Sequence, residues 1–238
     1  MKQTLSLTKT EGVFTYKSSN TRKLFTLKKF EADDIKYKKN QTNFSPNDFW
    51  SNGEKTVYYG SDVPSQSVYM KELNDRNIYE NIPEAKNQDI LGICTPYIYV
   101  GKTASFFPLH QEDMDLFSIS ILHRGQAKIW YTVSPQVTFV NICFLNIFRY
   151  LILTLQDSWR VIKLAKTLYP DLRSDYCNNF WRHKTIMMSP KVLEDHGIQV
   201  KTTYQHENQI VILLPGTFHF GFNLGFNVGE AMNFATDG

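Results

Sequence analysis

The residues best placed to do chemistry are a histidine and a glutamate two positions apart. His110, Gln111 and Glu112 form an H-x-E triplet, and His219 lies far downstream in an aromatic, glycine-rich stretch. On a β-strand, residues i and i+2 share a face, so His110 and Glu112 can contact one ion while Gln111 points away. Two histidines and one carboxylate are the ligands of non-haem Fe(II) oxygenases. The pattern predicts such a site, although an H-x-E triplet also arises by chance and a lone histidine is more often a satisfied core residue.

The elements around these residues are predicted to be mostly short strands. Strands are expected near 13–16, 56–59, 95–100, 106–109, 117–121, 127–133, 210–214, 218–222 and 231–235. Helices are expected near 27–36, 45–50 and 157–168. Many short strands separated by turns predict a mainly β, double-sheet jelly roll, whose open mouth suits a metal site.

Charge and cysteine content narrow the class of protein. The net charge of +3 over 238 residues does not by itself indicate nucleic-acid binding. We interpret the basic cluster before residue 40 as a solvated surface, with a contact to chromatin or an acidic partner as the alternative. Cys94, Cys143 and Cys177 are irregularly spaced, which argues against a disulfide framework and fits a reducing compartment. The N-terminal residues hold no apolar stretch long enough for a signal peptide, so we expect a cytosolic or nuclear protein.

One apolar segment, residues 137–156, does not fit the pattern of short strands. It reads VTFVNICFLNIFRYLILTLQ. A membrane span needs ~20 apolar residues, but this one would bury Arg149 and would place the metal ligands on opposite sides of the membrane. A buried core helix is the second interpretation. We favour a third, a retained intron translated in frame, because valine codons begin with GT and a glutamine codon can end in AG. Its removal would join Gln136 to Asp157 through a loop of ordinary length.

Three blocks of sequence resemble the catalytic domain of JmjC histone lysine demethylases. They are TPYIYVGKTASFFPLHQEDMDLFSISILHRGQAKIWYTVSP, CNNFWRHKTIMMSPKVLEDHGI and FHFGFNLGFNVGEAMNFAT. The resemblance runs from about Val57 to Thr236 apart from the apolar insert, and it is nearest to the branch that acts on trimethyl-lysine of the histone H3 tail. It implies a double-stranded β-helix, the cupin-like JmjC barrel, with flanking helices. We therefore expect an N-terminal flanking segment at 1–55 and a catalytic domain at 56–238, interrupted at 137–156.

The resemblance also implies roles for individual residues. The iron ligands are His110, Glu112 and His219. The residues expected at 2-oxoglutarate are Tyr59, Phe107, Ser120, Lys128 and Trp130, with Lys128 and Tyr59 on the distal carboxylate. Ser120 stands where the family has asparagine, so weaker cosubstrate binding is expected. The residues expected at the substrate are Asp62, Gly92, Tyr99, Lys184 and Asn233.

Four further residues bear on specificity and stability. Ala231 and Met232 stand where this branch often carries hydroxyls, which leaves the preferred methylation state open. Cys177 and His183 match two of four ligands of a structural Zn(II) site, and the family's other two are cysteines beyond the position of Gly238. We therefore expect an incomplete zinc site.

The activity implied by the resemblance is an oxidative demethylation. Fe(II), 2-oxoglutarate and dioxygen would hydroxylate an N-methyl group of lysine in the histone H3 tail, with release of formaldehyde and succinate. The expected location is the nucleus, with no membrane and no direct DNA contact. A JmjC protein hydroxylase and a catalytically inactive chromatin-binding JmjC protein are the alternatives. The methyl-lysine pocket at Tyr99, Gly92 and Asn233 favours the demethylase, whereas the insert and the missing zinc ligands favour an inactive protein.

Overall fold

The computed structural model describes most of the chain. The described residues are 1–21, 25–40, 44–51, 53–64, 96–133, 137–140, 150–153, 158–175 and 177–235. Three of the predicted residues, Gly92, Cys94 and Cys143, lie outside them, and of Asp62 only the backbone is described.

The described residues form fifteen strands and five α-helices. The strands are β1 (Lys2–Leu7), β2 (Val13–Ser19), β3 (Lys55–Tyr58), β4 (Gly60–Pro64), β5 (Tyr97–Gly101), β6 (Phe106–His110), β7 (Phe117–Gly125), β8 (Lys128–Val133), β9 (Val137–Val140), β10 (Tyr150–Leu153), β11 (Ile186–Met188), β12 (Val200–Gln205), β13 (Ile210–Leu213), β14 (Phe218–Asn223) and β15 (Asn227–Phe234). The helices are α1 (Leu27–Asn40), α2 (Pro46–Ser51), α3 (Ser158–Leu168), α4 (Pro170–Asp175) and α5 (Pro190–Asp195). The chain is mainly β, as expected.

Two sheets supply most of the walls of one cavity. A seven-stranded sheet has the order β4-β5-β15-β7-β13-β10-β9, and a four-stranded sheet has the order β12-β8-β14-β6. Along β7 the side chains alternate: Ser118 and Ser120 line the cavity, whereas Ile119 and Ile121 pack with Met232 on the opposite face. The period of two predicted from the sequence is therefore what separates the polar cavity face of this strand from its apolar face. This architecture confirms the jelly-roll prediction.

The largest hydrophobic core lies on the other face of the four-stranded sheet. Ile129, Tyr131 and Val133 alternate with the cavity-lining residues of β8 and belong to this core. Helix α2 packs on it through Phe49, whose ring stacks on that of Phe222 with centroids 4.1 Å apart. Burial of such aromatic rings is a large favourable contribution to folding.

A third sheet comes largely from the N-terminal residues. Its order is β11-β2-β1-β3, so the segment predicted to flank the catalytic domain pairs directly with β3 and β11. The Gln3 side chain bridges to β6, because its amide donates to the Phe106 carbonyl at 2.7 Å and accepts from the Phe106 N–H at 3.1 Å. This pairing anchors the third sheet to the strand that ends at His110.

Part of the apolar insert forms the last two strands at one side of the seven-stranded sheet. Strands β9 and β10 pair antiparallel, and β10 pairs parallel with β13. For these two stretches the core-helix interpretation is wrong. Among the described residues, no helix is long and apolar enough to cross a membrane. The remainder of the insert lies outside the described residues.

Candidate metal centre and cosubstrate pocket

The two histidines are brought together by the pairing of β6 with β14. His110 is the last residue of β6, and its Cα is the register partner of His219 on β14. The Nδ1 of His110 lies 2.7 Å from the Pro108 carbonyl oxygen, and the Nδ1 of His219 lies 3.1 Å from that of Thr217. Because a carbonyl oxygen only accepts, Nδ1 carries a proton in each ring, and Nε2 is the atom that each histidine can present to a metal.

Glu112 completes a group of three ligand atoms. One ligand atom from each of His110, Glu112 and His219 lies within 4.8 Å of the others. The His219 Nε2 and Glu112 Oε1 are 3.3 Å apart, and the two histidine ring centroids are 4.1 Å apart. Within the described ranges this is the one cluster of three or more histidine, cysteine or acidic side chains with such spacing. Two imidazoles and a carboxylate on one side of a cavity fit the donor set of a non-haem Fe(II).

Charges and burial oppose each other at this centre. Burial acts against ionisation of Glu112, but the hydrogen bond and charge of His219, with the charges of His110 and Lys184, outweigh it and hold the pKa of Glu112 well below its usual range. Burial, then the charges of His219 and Lys184, lower the pKa of His110 well below its usual value. A carboxylate beside a neutral imidazole is the protonation state in which both side chains bind a cation.

A glycine allows the strands to meet closely beside the ligands. The β14–β6 register shifts between His219 and Gly221. A Cβ at Gly221 would overlap the carbonyl oxygen of Ile129 and lie 2.6 Å from the Phe107 ring. The bulge and the close approach of β14 to β8 therefore require glycine here.

The ligands stand at one cavity of about 630 Å³. The residues predicted to bind 2-oxoglutarate all line it, namely Tyr59, Phe107, Ser120, Lys128 and Trp130. Three aromatic side chains, those of Tyr99, Phe107 and Trp130, place their ring centroids 5.6–5.9 Å from the Lys128 Nζ. The cavity thus has a metal-ligand end and an ammonium group among aromatic faces.

Lys128 is buried without a charge partner among the described residues. Its side chain is 4% exposed, and burial lowers the pKa of Lys128 to about 8. A buried ammonium is expensive unless an anion pairs with it. A dicarboxylate that also reaches the metal would supply that anion, so the residues present fit 2-oxoglutarate.

The predicted substrate residues lie on the same cavity only in part. Tyr99 lines it and stacks on Tyr59 with ring centroids 6.0 Å apart. Lys184 lines it from a left-handed backbone conformation with φ of 55°. Ala231 also lines the cavity, whereas Asn233, two residues further along β15, is not among the lining residues and donates to the Phe117 carbonyl at 3.1 Å. Gly92 and the side chain of Asp62 lie outside what the structure describes.

The two predicted zinc ligands do not belong to the cluster of His110, Glu112 and His219. Cys177 is a half-buried free thiol whose Sγ accepts from the Asn179 N–H at 3.3 Å. His183 lines the cavity. No third candidate joins them in the part of the chain that the structure describes, so the zinc site stays a prediction.

The sequence did not predict that the N-terminal strands contribute to the wall of the cavity. Met1, Gln3, Tyr16, Lys17 and Ser18 line the cavity. The alternation of polar and leucine residues in β1 could have indicated a strand, since β1 pairs with β2 after a five-residue connection. Its pairing with β3, fifty or more positions away, leaves no local signal.

Comparison with known proteins agrees with this geometry. A family model described as "JmjC domain, hydroxylase" matches residues 97–139 and 150–234, which leaves out the middle of the apolar insert. The chain is 34% identical over 226 residues to lysine-specific demethylase 4D of Rattus norvegicus, with 92% of this chain and 38% of that protein covered. It is 33% identical over 226 residues to lysine-specific demethylase 4B of Mus musculus, with 92% of this chain and 18% of that protein covered.

A third relative is also similar to most of this chain. The chain is 34% identical over 184 residues to a probable lysine-specific demethylase 4F of Homo sapiens, covering 75% of this chain and 25% of that protein. The chain therefore spans well under half the length of the curated relatives it matches. The family match covers more than half of the chain, and the conclusion is that this protein belongs to the JmjC domain family.

Proposed function

We propose that this protein is an Fe(II)- and 2-oxoglutarate-dependent demethylase of methylated lysine in the histone H3 tail. The observation that carries the proposal is the pairing of two features in one cavity. His110, Glu112 and His219 converge within 4.8 Å, and the buried Lys128 ammonium lines the same space. The similarity to lysine-specific demethylases supports lysine as the substrate.

The three ligands would hold the iron from one side. His110 and His219 each offer Nε2, because a backbone carbonyl engages Nδ1. Glu112 is ionised at neutral pH, since its pKa lies well below the usual range. Three protein ligands leave room for cosubstrate and dioxygen on the metal. With dioxygen as the oxidant, bound iron and 2-oxoglutarate would supply the chemistry that hydroxylates an N-methyl carbon: one oxygen atom enters the methyl group, the other leaves in succinate together with carbon dioxide, and the hydroxymethyl amine then releases formaldehyde.

The cavity walls would orient the cosubstrate and exclude water. Lys128 would pair with the distal carboxylate of 2-oxoglutarate, and Tyr59 would add a hydrogen bond. Phe107 and Trp130, with ring centroids 4.8 Å apart, form an apolar wall between Lys128 and the metal ligands. Ser120 has a short side chain where the family has asparagine, so we expect weaker binding of 2-oxoglutarate and a contact through a water molecule.

The methyl-lysine would enter beside Tyr99. An aromatic ring binds a quaternary ammonium through its face, and Tyr99 lines the cavity together with Ala231. We propose Asp62, Gly92, Lys184 and Asn233 as further substrate contacts. The apolar Ala231 and Met232 leave the preferred methylation state to experiment. A histone substrate places the protein in the nucleus.

Zinc would have at most a structural part in this proposal. Cys177 and His183 could supply two of the four ligands of a tetrahedral site, and no catalytic step depends on them.

The test is a demethylation assay on H3-tail peptides carrying mono-, di- or trimethyl-lysine. Purified protein is supplied with Fe(II), ascorbate and 2-oxoglutarate in air, and the peptide masses are measured by mass spectrometry. The proposal predicts loss of the mass of one methylene per turnover, with equimolar formaldehyde and succinate. Reactions without Fe(II) or without 2-oxoglutarate are the controls.

The two alternative functions give different results in the same assay. A JmjC protein hydroxylase would leave the methyl groups and add the mass of one oxygen to its substrate. An inactive chromatin-binding protein would bind the peptide and leave its mass unchanged. Either result, from protein shown to be folded, would contradict the demethylase assignment.

A further inference from the structure

Gln205, at the end of β12, links two walls of the cavity. Its side chain is 1% exposed. The amide oxygen accepts from Trp130 Nε1 at 2.9 Å, and the amide nitrogen lies 3.0 Å from the carbonyl oxygens of Ser120 and Gln209, to which it donates. Trp130 belongs to the four-stranded sheet and Ser120 to the seven-stranded sheet. One buried amide therefore ties the two sheets together at the cavity.

The indole ring of Trp130 transmits this link to the expected ligands. Its centroid is 6.0 Å from that of the His219 ring and 5.6 Å from the Lys128 Nζ. An indole N–H can only donate, and Gln205 accepts it inside the protein. Without that acceptor the buried donor would be unsatisfied, and the ring would turn to find another partner.

Gln205 also stands beside Lys128 in the sheet. The two residues are register partners in the β12–β8 pair, so their side chains lie on the same face. The glutamine amide is neutral and uses its oxygen and both of its donors on Trp130, Ser120 and Gln209. It therefore fixes the wall next to the ammonium group without neutralising the charge that a dicarboxylate needs.

We infer that Gln205 is a positioning residue for the cosubstrate pocket. It fixes the Trp130 ring between Lys128 and His219, and it fixes the spacing of β7 from β12 through the Ser120 carbonyl. The inference rests on the proposed binding of 2-oxoglutarate beside Lys128. Gln205 does not line the cavity, so it acts through Trp130 and Ser120 and not by contact with the cosubstrate.

The test replaces the amide by an apolar side chain of similar size, Gln205→Leu. Binding of 2-oxoglutarate to the Fe(II) protein is measured without oxygen, and KM and kcat are measured with oxygen. Loss of the buried hydrogen bonds is expected to raise both the Kd and the KM for 2-oxoglutarate about tenfold, the effect of ~1.4 kcal/mol, while kcat changes less. Gln209→Ala is the matched control, because within the described part of the chain that side chain bonds only the His206 N–H across the same turn and its carbonyl is retained.

A second readout follows the ring itself. The chain has four tryptophans, and 5-fluorotryptophan labelling gives each a fluorine NMR signal, with that of Trp130 assigned by its loss in Trp130→Phe. Gln205→Leu should shift or broaden the Trp130 signal and leave the other three in place. A general loss of structure would move all four.

The outcomes separate this inference from the proposed function. If the wild-type protein binds 2-oxoglutarate and Gln205→Leu binds it equally well with an unchanged Trp130 signal, Gln205 has no positioning role. If Gln205→Leu does not fold, Trp130→Phe is tested in its place, because it keeps an aromatic ring and removes the N–H donor. An unchanged Kd for 2-oxoglutarate in Trp130→Phe overturns the inference, and a raised Kd supports it. If the wild-type protein binds no 2-oxoglutarate, the proposed function fails, and an unshifted Trp130 signal in Gln205→Leu would overturn the link on its own.

Discussion

At the scale of residues, the cavity brings three candidate metal ligands together at one end and holds a buried ammonium group among aromatic rings. His110, Glu112 and His219 each place one ligand atom within 4.8 Å of the others, and Lys128 is 4% exposed. The i, i+2 spacing of His110 and Glu112 follows from strand geometry alone. The pairing of His219 with His110 and the burial of Lys128 needed the resemblance to JmjC proteins. Gln3 was missed because its hydrogen-bond partner lies 103 positions away. Gln205 was missed because the two partners that link it to the cavity, Trp130 and Ser120, lie 75 and 85 positions away, and no local pattern encodes such contacts.

The buried ammonium group of Lys128 is expected to lower the stability of the folded protein and to strengthen the binding of 2-oxoglutarate. The pKa of Lys128 is about 8 in the folded protein, against 10.5 for a free lysine, so folding with this charge costs up to ~3 kcal/mol. Lys128→Met should therefore stabilise the ligand-free protein at neutral pH. It should also weaken 2-oxoglutarate binding roughly ten- to a hundredfold, because the charge-assisted pair is lost.

The sign of the pH dependence distinguishes this effect from better packing. Below pH 8 the lysine is charged in both states and the full cost applies. Between about pH 8 and 10.5 the unfolded chain binds the extra proton, so wild-type stability rises and the advantage of Lys128→Met shrinks. Urea unfolding of the wild-type protein and of Lys128→Met between pH 8 and about 10.5 measures this difference in stability. Lys201→Met, at an exposed position, is the control. An advantage that stays constant with pH would contradict the assigned cost.

At the scale of elements, strands with clear alternation were predicted and those that depend on distant partners were not. The expected strands match β2, β3, β5 to β8 and β13 to β15. Strands β11 and β12 were missed because they are very short or polar and pair with remote strands. Strand β1 was missed because most of its residues are polar, although it pairs with the neighbouring β2. Two glycines, Gly221 and Gly229, lie inside β14 and β15.

The position of Gly221 inside β14 gives a prediction about the sheet. A methyl group there would meet the Ile129 carbonyl and the Phe107 ring, so β14 and β8 would have to separate. Gly221→Ala is expected to destabilise the protein by more than about 2 kcal/mol and to reduce metal binding, since His219 is two residues away. Chemical denaturation measures the first effect and Fe(II) titration the second. Gly53→Ala is the control, because nothing lies within 4 Å of its Cβ position. Equal stability of the two variants would refute the close approach.

At the scale of the whole molecule, the insert is the unusual feature. Residues 137–140 and 150–153 add two strands beyond β13 at the edge of the seven-stranded sheet. None of the described cavity-lining residues belongs to the segment 137–156. An apolar addition at a sheet edge invites association between chains. This arrangement agrees with a segment that the rest of the fold does not need.

Deletion of residues 137–156 tests the retained-intron hypothesis. A variant that joins Gln136 to Asp157 should be more soluble and should melt at a higher temperature, while it binds Fe(II) and 2-oxoglutarate as before. Thermal melts and light scattering of both proteins, with the sequence of the mature transcript, provide the measurements. If every transcript encodes the segment and its deletion unfolds the protein, β9 and β10 are genuine structural strands.

The central claim is that His110, Glu112 and His219 hold a catalytic Fe(II). The most direct measurement is Fe(II)-dependent formation of succinate from 2-oxoglutarate in the presence of methylated H3 peptide, compared between the wild-type protein and His219→Ala. We predict loss of turnover together with loss of Fe(II) binding, because two ligands do not retain a labile ion, in a variant whose melting temperature shows that it is folded. Wild-type succinate formation by His219→Ala would contradict the assignment of the metal centre.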